Sequence, residues 1–216
     1  MPNPAKPTFA PYQNETLDTL YEMLFCDNLA IFHAQNDNPD VPDLRTIFVD
    51  APDENALLRI ADDQSGESRV RAMAATKLLE IGSARQPKPE LLGVIVEVGL
   101  EGGLDVLAAY GDGTARYLNY ASNVIIWESP NEQSNALVDN LWHHSINVVN
   151  RIGPWDEPRM APPETGMVRL SFLVSGQIYL GQGPMQPFFQ DAMAGPVLHA
   201  ATQLMQYLTE TSLANK

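Results

Sequence analysis

The sequence predicts an α+β fold: an antiparallel sheet of about six strands, helices on one of its faces, and an N-terminal helical segment. Three observations predict it. From residue 14 to residue 82 the apolar residues recur at helical spacing. Beyond the proline-containing stretch SARQPKPE (83–90) the period becomes extended, with short apolar runs at 92–98, 104–110, 114–120 and 124–128 separated by turn residues. The pattern of strands followed by a helix then occurs twice. The chain divides accordingly into a disordered Pro-rich tail (1–13), a helical segment (14–82), a linker (83–90) and an α+β core (91–216).

Each element has its own signal. Asn14 is placed to cap a helix over 14–35, with Leu17, Leu20, Tyr21, Leu24 and Phe25 along one side. QNDNPDVPD (35–43) breaks that pattern, and Ile47-Phe48-Val49 reads as an isolated strand. Asp50 ahead of Ala-Pro-Asp reads as an N-cap with proline in the first turn of a helix to about residue 63. Gln64-Ser65-Gly66 is a turn. A third helix covers 67–81, and Gly82 supplies its C-terminal stop. In the core, Ser129-Pro130 opens a helix to about residue 150 with Leu137, Val138, Leu141 and Trp142 on its apolar arc. RIGPWDEPRMAPPETG (151–166) is a long loop. Runs 167–174 and 177–181 form a second hairpin around Ser175-Gly176, and Gly195-Pro196 starts the last helix, to about residue 211.

The middle of the chain turns on YGDGTARYLNY (110–120). Asp-Gly between strand-like flanks is a hairpin corner, whereas a phosphate loop would run directly into a helix. Asp112 is therefore a turn residue with its carboxylate toward solvent. A two-residue Asp112-Gly113 loop sets Tyr110 opposite Ala115 and Ala108 opposite Tyr117. A two-residue Ser122-Asn123 loop then sets Tyr117 opposite Glu128. Neither sheet face in this register is polar enough to stand in water. The two C-terminal helices can cover one face. The other needs the N-terminal helices or a second subunit.

The same register collects Tyr110, Tyr117, Asn119 and Glu128 on one mixed face, joined by Glu97 if Glu101-Gly102 is the preceding turn. Such a mixture reads as strand-end residues meeting solvent, as an interface, or as a ligand pocket with two carboxylates for acid–base work. The 151–166 loop, carrying Trp155, is either a lid or contact segment or a strap packed by Trp155 and Met160.

Other candidate chemistry is thin. The chain has one cysteine, so no internal disulfide forms, and Cys26 lies seven residues from His33, too far along a helix for a dyad. His143 and His144 project about 100° apart on a helix. Asp139 and His143 form an ordinary i,i+4 pair without a third ligand. Asp37, Asp40 and Asp43 lack the alternation and glycine of a calcium loop. Gly181-Gln182-Gly183-Pro184 lacks the third glycine of a dinucleotide loop. Ser175 lacks a nucleophile elbow. Arg69, Arg71, Arg116 and Arg169 look too scattered for a phosphate site. The reading calls for no cofactor and no metal.

Net charge is −14, which disfavours nucleic acid and anionic membranes as partners. The first 15 residues lack a basic start and an apolar run, and no stretch reaches the ~20 apolar residues of a membrane span. The expectation is a cytoplasmic protein. The stretches GLDVLAAYGDGTARYLNY and VRLSFLVSGQIYLGQGP resemble those of bacterial proteins, and the alternation of strand pairs and helices is similar to profilin-like modules. That likeness is one of fold and implies no activity. The functional expectation is a non-enzymatic interaction or regulatory protein, self-associating as a homodimer. The alternative is a small-molecule binder or enzyme using the face around Tyr117 and Glu128 beneath loop 151–166.

Overall fold

The structure is a computed structural model and describes residues 8–35 and 41–214. Asn14 does cap α1 (Glu15–Met23), its side chain accepting from the amides of Thr16 and Leu17. The helix expected to continue to residue 35 breaks at Cys26, where φ is +53°, and resumes as α2 (Leu29–Gln35). Residues 47–49 are not a strand. α3 (Pro42–Phe48) carries proline in its first turn, where a missing N–H is harmless, and it buries Ile47 completely. α4 (Glu54–Asp62) is capped by Asp53 rather than Asp50, its Oδ1 accepting from Asn55 N at 3.1 Å, and Pro52 falls before the helix. α5 (Ser68–Glu80) ends at Gly82, φ +67°. The N-terminal segment thus holds five helices among the described residues, where three were expected.

The sheet consists of β1 (Leu91–Leu100), β2 (Gly103–Tyr110), β3 (Ala115–Leu118) and β4 (Val124–Trp127), then β5 (Met167–Val174) and β6 (Gln177–Pro184) after α6 (Glu132–Val149). α7 (Met185–Gln190), unforeseen in the sequence, and α8 (Ala194–Ala214) close the chain. All six strands are antiparallel, in the order β4-β3-β2-β1-β5-β6. With 44% helix and 21% strand this is an α+β fold.

Gly111-Asp112-Gly113 is a hairpin corner, but its loop has three residues rather than two. Tyr110 N donates to Thr114 O at 2.9 Å, and Gly113 takes the left-handed conformation at φ +84°. Ala115 then pairs with Ala109, and Tyr117 with Leu107. This one-residue slip moves every β3 side chain to the face opposite the expected one. The next corner is also a three-residue loop. Asn119 N donates to Asn123 O at 3.0 Å, Ser122 sits at φ +64°, and Tyr117 pairs with Ile125 instead of Glu128. The Ser175-Gly176 corner does have two residues, both at positive φ, with Val174 paired to Gln177.

The result is three layers. One face carries Leu107, Ala109, Ala115, Leu170 and Phe172 and packs on α6 and α8 through Leu141, Val197 and Leu204. The other carries Leu92, Ile95, Val106, Ala108 and Leu118 and packs on the N-terminal helices through Tyr21, Leu57, Met73 and Leu78. The requirement that both faces be covered is met by the chain's own helices. Part of the N-terminal stretch expected to be disordered is held as well: Phe9 N donates to Glu22 Oε1 and Tyr12 N to Asp18 Oδ1, each at 2.8 Å. Residues 1–7 lie outside the described residues.

Asp112 also departs from expectation. Its Oδ2 accepts from Ser68 N at 2.7 Å, at the start of α5, and its Oδ1 from Thr114 N and Oγ1 at 2.9 and 2.7 Å. Glu67, at the N-cap of α5, makes no side-chain cap. The corner therefore supplies the anion that the exposed amides of a helix N-terminus favour, and it ties the N-terminal layer to the sheet. Asp112→Ala is expected to lower urea-measured stability by about 1–2 kcal/mol, and Asp112→Asn by less. An unchanged unfolding midpoint in Asp112→Ala would show that this cap contributes nothing.

Candidate functional site

The six residues singled out in the sequence do not form one site. Glu97 and Tyr110 share the face beneath the N-terminal helices, both fully buried, and Tyr110 donates to Leu24 O at 2.8 Å. Tyr117 lies on the opposite face, packed with the α6–α8 cluster, its hydroxyl donating to Asp105 Oδ2 at 2.7 Å. Asn119 stands at the β3–β4 corner, where its Oδ1 accepts from Asn123 N at 2.9 Å. Glu128 follows β4, and Trp155 N donates to Ile178 O beside β6, so these two occupy opposite edges of the sheet. The slip in register is what dissolves the expected mixed face.

Loop 151–166 is a strap rather than a cover for Glu128. Its anchor is Arg159, a residue the sequence reading passed over because one arginine among prolines carries no periodic signal. The Arg159 guanidinium sits 4.1 Å from the Phe25 ring centroid, pairs with Glu22, and reaches Asp27 Oδ2 at 3.2 Å. Arg169 holds the strap from the sheet side, donating to Met160 O at 3.1 Å, to Ala161 O and to Gln182 Oε1 at 2.9 Å. Trp155 remains 39% exposed.

Beneath the strap lies Glu97. Its Oε1 accepts from Tyr21 OH at 2.8 Å, and Arg169 Nη1 stands 3.5 Å from Oε2, which has no hydrogen-bond partner. Burial pushes the Glu97 carboxyl above the usual range, more than Arg169 and the Tyr21 hydroxyl draw it back. Burial likewise raises Glu22 against the pull of Arg159. A carboxyl with no exposed surface cannot meet a substrate, so this network fixes the strap and the N-terminal layer. Cys26 is equally enclosed, its thiol pushed up to about 12 by burial, which makes it a poor nucleophile. The described residues contain no group of three metal ligands. Asp37 and Asp40 lie outside them.

The structure does bring together two arginines that looked scattered. Arg71 is paired with Glu90 at 2.6 Å and Arg169 with Glu97. Arg69 of α5 and Arg116 of β3, by contrast, line one groove of ≈ 210 Å³ between the N-terminal helices and the β3–β4 ribbon. Its apolar wall is Leu20, Met23 and Leu24 on one side and Leu118, Val124 and Ile126 on the other. Glu128 closes the rim and pairs with Arg116.

The groove opens beside β4, one end of the sheet. Because Asn119 and Asn123 form a hydrogen-bonded pair, so do Tyr117–Ile125 and Ala115–Trp127, two and four residues along. The N–H and C=O groups of Val124 and Ile126 therefore point outward. Ile126 is 53% and Tyr120 55% exposed, and the strand carries neither lysine nor proline to blunt its edge. The other edge is blunted: the strap crosses β6 at Ile178, and Phe188 of α7 packs over Gly183.

Comparison with family models, curated proteins and solved structures finds no match to this chain. The likeness to profilin-like modules gains no support from them, and the functional reading rests on the geometry above. No helix of the described residues is long and apolar enough to cross a membrane.

The Glu97 environment has a pH signature. Its folded value lies above the unfolded one, so its contribution is fully present below the ordinary carboxylate range and is lost as pH rises through the folded value. Urea midpoints of the protein and of Glu97→Gln, followed upward from acid pH, are expected to shift in favour of the variant across that window. A pH-independent difference would contradict a buried carboxyl that resists ionisation.

Proposed function

We propose that the protein is a non-enzymatic interaction or regulatory protein, and that it self-associates through β4. One observation carries the reading: β4 is an unblunted apolar edge, whereas the other edge of the sheet is crossed by the strap at Ile178 and flanked by Phe188 at Gly183. The surplus of sheet surface that first suggested a dimer is occupied by the N-terminal helices, so the edge replaces it as the argument.

The occupant that fits is a second copy. A two-fold axis at Ile125 sets Val124 opposite the partner's Ile126 and the reverse. These are the residues whose backbone groups point outward, so each such pair can exchange two hydrogen bonds. The ribbon is also low in charge for a chain of net charge −14: its acidic flank, Glu128, is neutralised by Arg116. The alternative of a pocket built on Tyr117 and Glu128 beneath the strap loses its geometry, since Tyr117 is on the other face and the strap lies toward the other edge.

Size-exclusion chromatography with light scattering is expected to give twice the 23.8 kDa chain mass. Ile126→Lys, which places a charge at the edge without touching either core cluster, is expected to give the single-chain mass with unchanged circular dichroism. A monomeric parent protein at micromolar concentration contradicts the reading.

A further inference from the structure

We infer that the groove between the N-terminal helices and the β3–β4 ribbon is a binding site for a small monocarboxylic acid with an apolar body. This goes beyond the self-association reading: the groove shares Val124, Ile126, Arg116 and Glu128 with that edge but turns on Arg69, which the pairing of β4 does not use.

The inference begins with Arg69. Its guanidinium lies 5.6 Å from the Phe32 ring centroid and 5.7 Å from that of Tyr110, so its aromatic neighbours fix its plane. Its Nε is buried and without a hydrogen-bond partner. The Glu67 carboxylate stands 3.7 Å from its Nη1, beyond hydrogen-bond distance. It also meets the Cys26 thiol, a weak acceptor. The side chain is 17% exposed and its contact with Glu67 is longer than a hydrogen bond, so the part of the guanidinium that lines the groove can still take an acceptor.

Arg116 supplies the second cation, and it is held in place. Its Nη1 donates to Ala115 O at 2.8 Å and Trp127 O at 3.4 Å, while Nη2 meets Glu128. The Glu128 side chain is 58% exposed, so it can turn out to water and yield Nη2 to another carboxylate. Its present contact shows which chemistry that position accepts.

The walls decide the rest of the ligand. The six aliphatic and thioether side chains of the groove offer no hydrogen bonds to a polar body. A space of ≈ 210 Å³ is smaller than the ~300–1,000 Å³ of drug-sized pockets, which favours an acid of medium chain length or one carrying a single ring. Glu67 lies within electrostatic reach of Glu128, Asp112 and both arginines. This acidic surround penalises a second negative charge, which selects a carboxylate over a phosphate dianion.

Isothermal titration calorimetry on the full chain tests this with octanoate and phenylacetate, their neutral amides, and inorganic phosphate. One equivalent of at least one acid is expected to bind, about tenfold or more tighter than its amide, as a charge-assisted contact requires. Arg69→Met should abolish the difference between acid and amide. Glu128→Gln, a surface change that threatens no folding, should tighten the acid severalfold by removing the resident competitor. Acid and amide binding equally, neither acid binding, phosphate binding more tightly than both acids, or Glu128→Gln leaving affinity unchanged would each overturn the assignment. The heat signal does not depend on particle mass, so failure here leaves the pairing of β4 standing, and a monomeric protein leaves the groove standing.

Discussion

A sheet that is apolar on both sides cannot rest in water on either, and the rest of this structure follows from that constraint. β1 and β2 alternate between two cores rather than between core and solvent: Ile95 and Ala108 face one cluster, Val94 and Ala109 the other. Each fully buried aliphatic side chain is worth roughly 1.5–3 kcal/mol relative to exposure, so neither helical layer is dispensable. The N-terminal helices are short, 7 to 13 residues, and would be marginal alone. They persist because Tyr21, Leu57, Met73 and Leu78 find the sheet, and because Asp112 and the Arg159 strap pin them at two separated points.

Burying those pins has consequences. Glu22, Glu97, Arg159 and Arg169 are all buried, and buried ion pairs seldom add much net stability, although breaking one is expensive. Their effect is on arrangement: they fix the order in which α1, the strap and β5 stack. The same reasoning separates them from Arg69, whose carboxylate partner, Glu67, stands 3.7 Å away on a half-exposed side chain. A charge that the fold satisfies only loosely is where an outside ligand is to be sought.

Much of the fold was legible. The change of period near residue 90, the Asn14 cap, the Gly82 stop and the Ser175-Gly176 corner are local signals, and local chemistry decides them. Register was not legible, for a physical reason. Gly-Asp-Gly serves a two-residue or a three-residue loop, and only the tertiary partner of Asp112, the amide of Ser68 at the start of α5, distinguishes them. Ile47-Phe48-Val49 misled because β-branched and aromatic residues suit a strand, yet here they end a helix begun at Pro42. Of the site, Glu128 was visible in the sequence. Arg69 and Arg116 were noticed but not joined, since they lie 47 positions apart and meet only once β3 has turned its side chains over.

The central claim is that the N-terminal helices are a full layer of the core and leave β4 as the open side. Native-state hydrogen exchange resolved by residue tests it most directly. The account expects amides of α1 and α5 to exchange as slowly as those of β1 and β2, through the same cooperative opening, at every protein concentration. If α1 and α5 instead exchange quickly and independently while the sheet stays protected, that layer is an appendage, and the account fails.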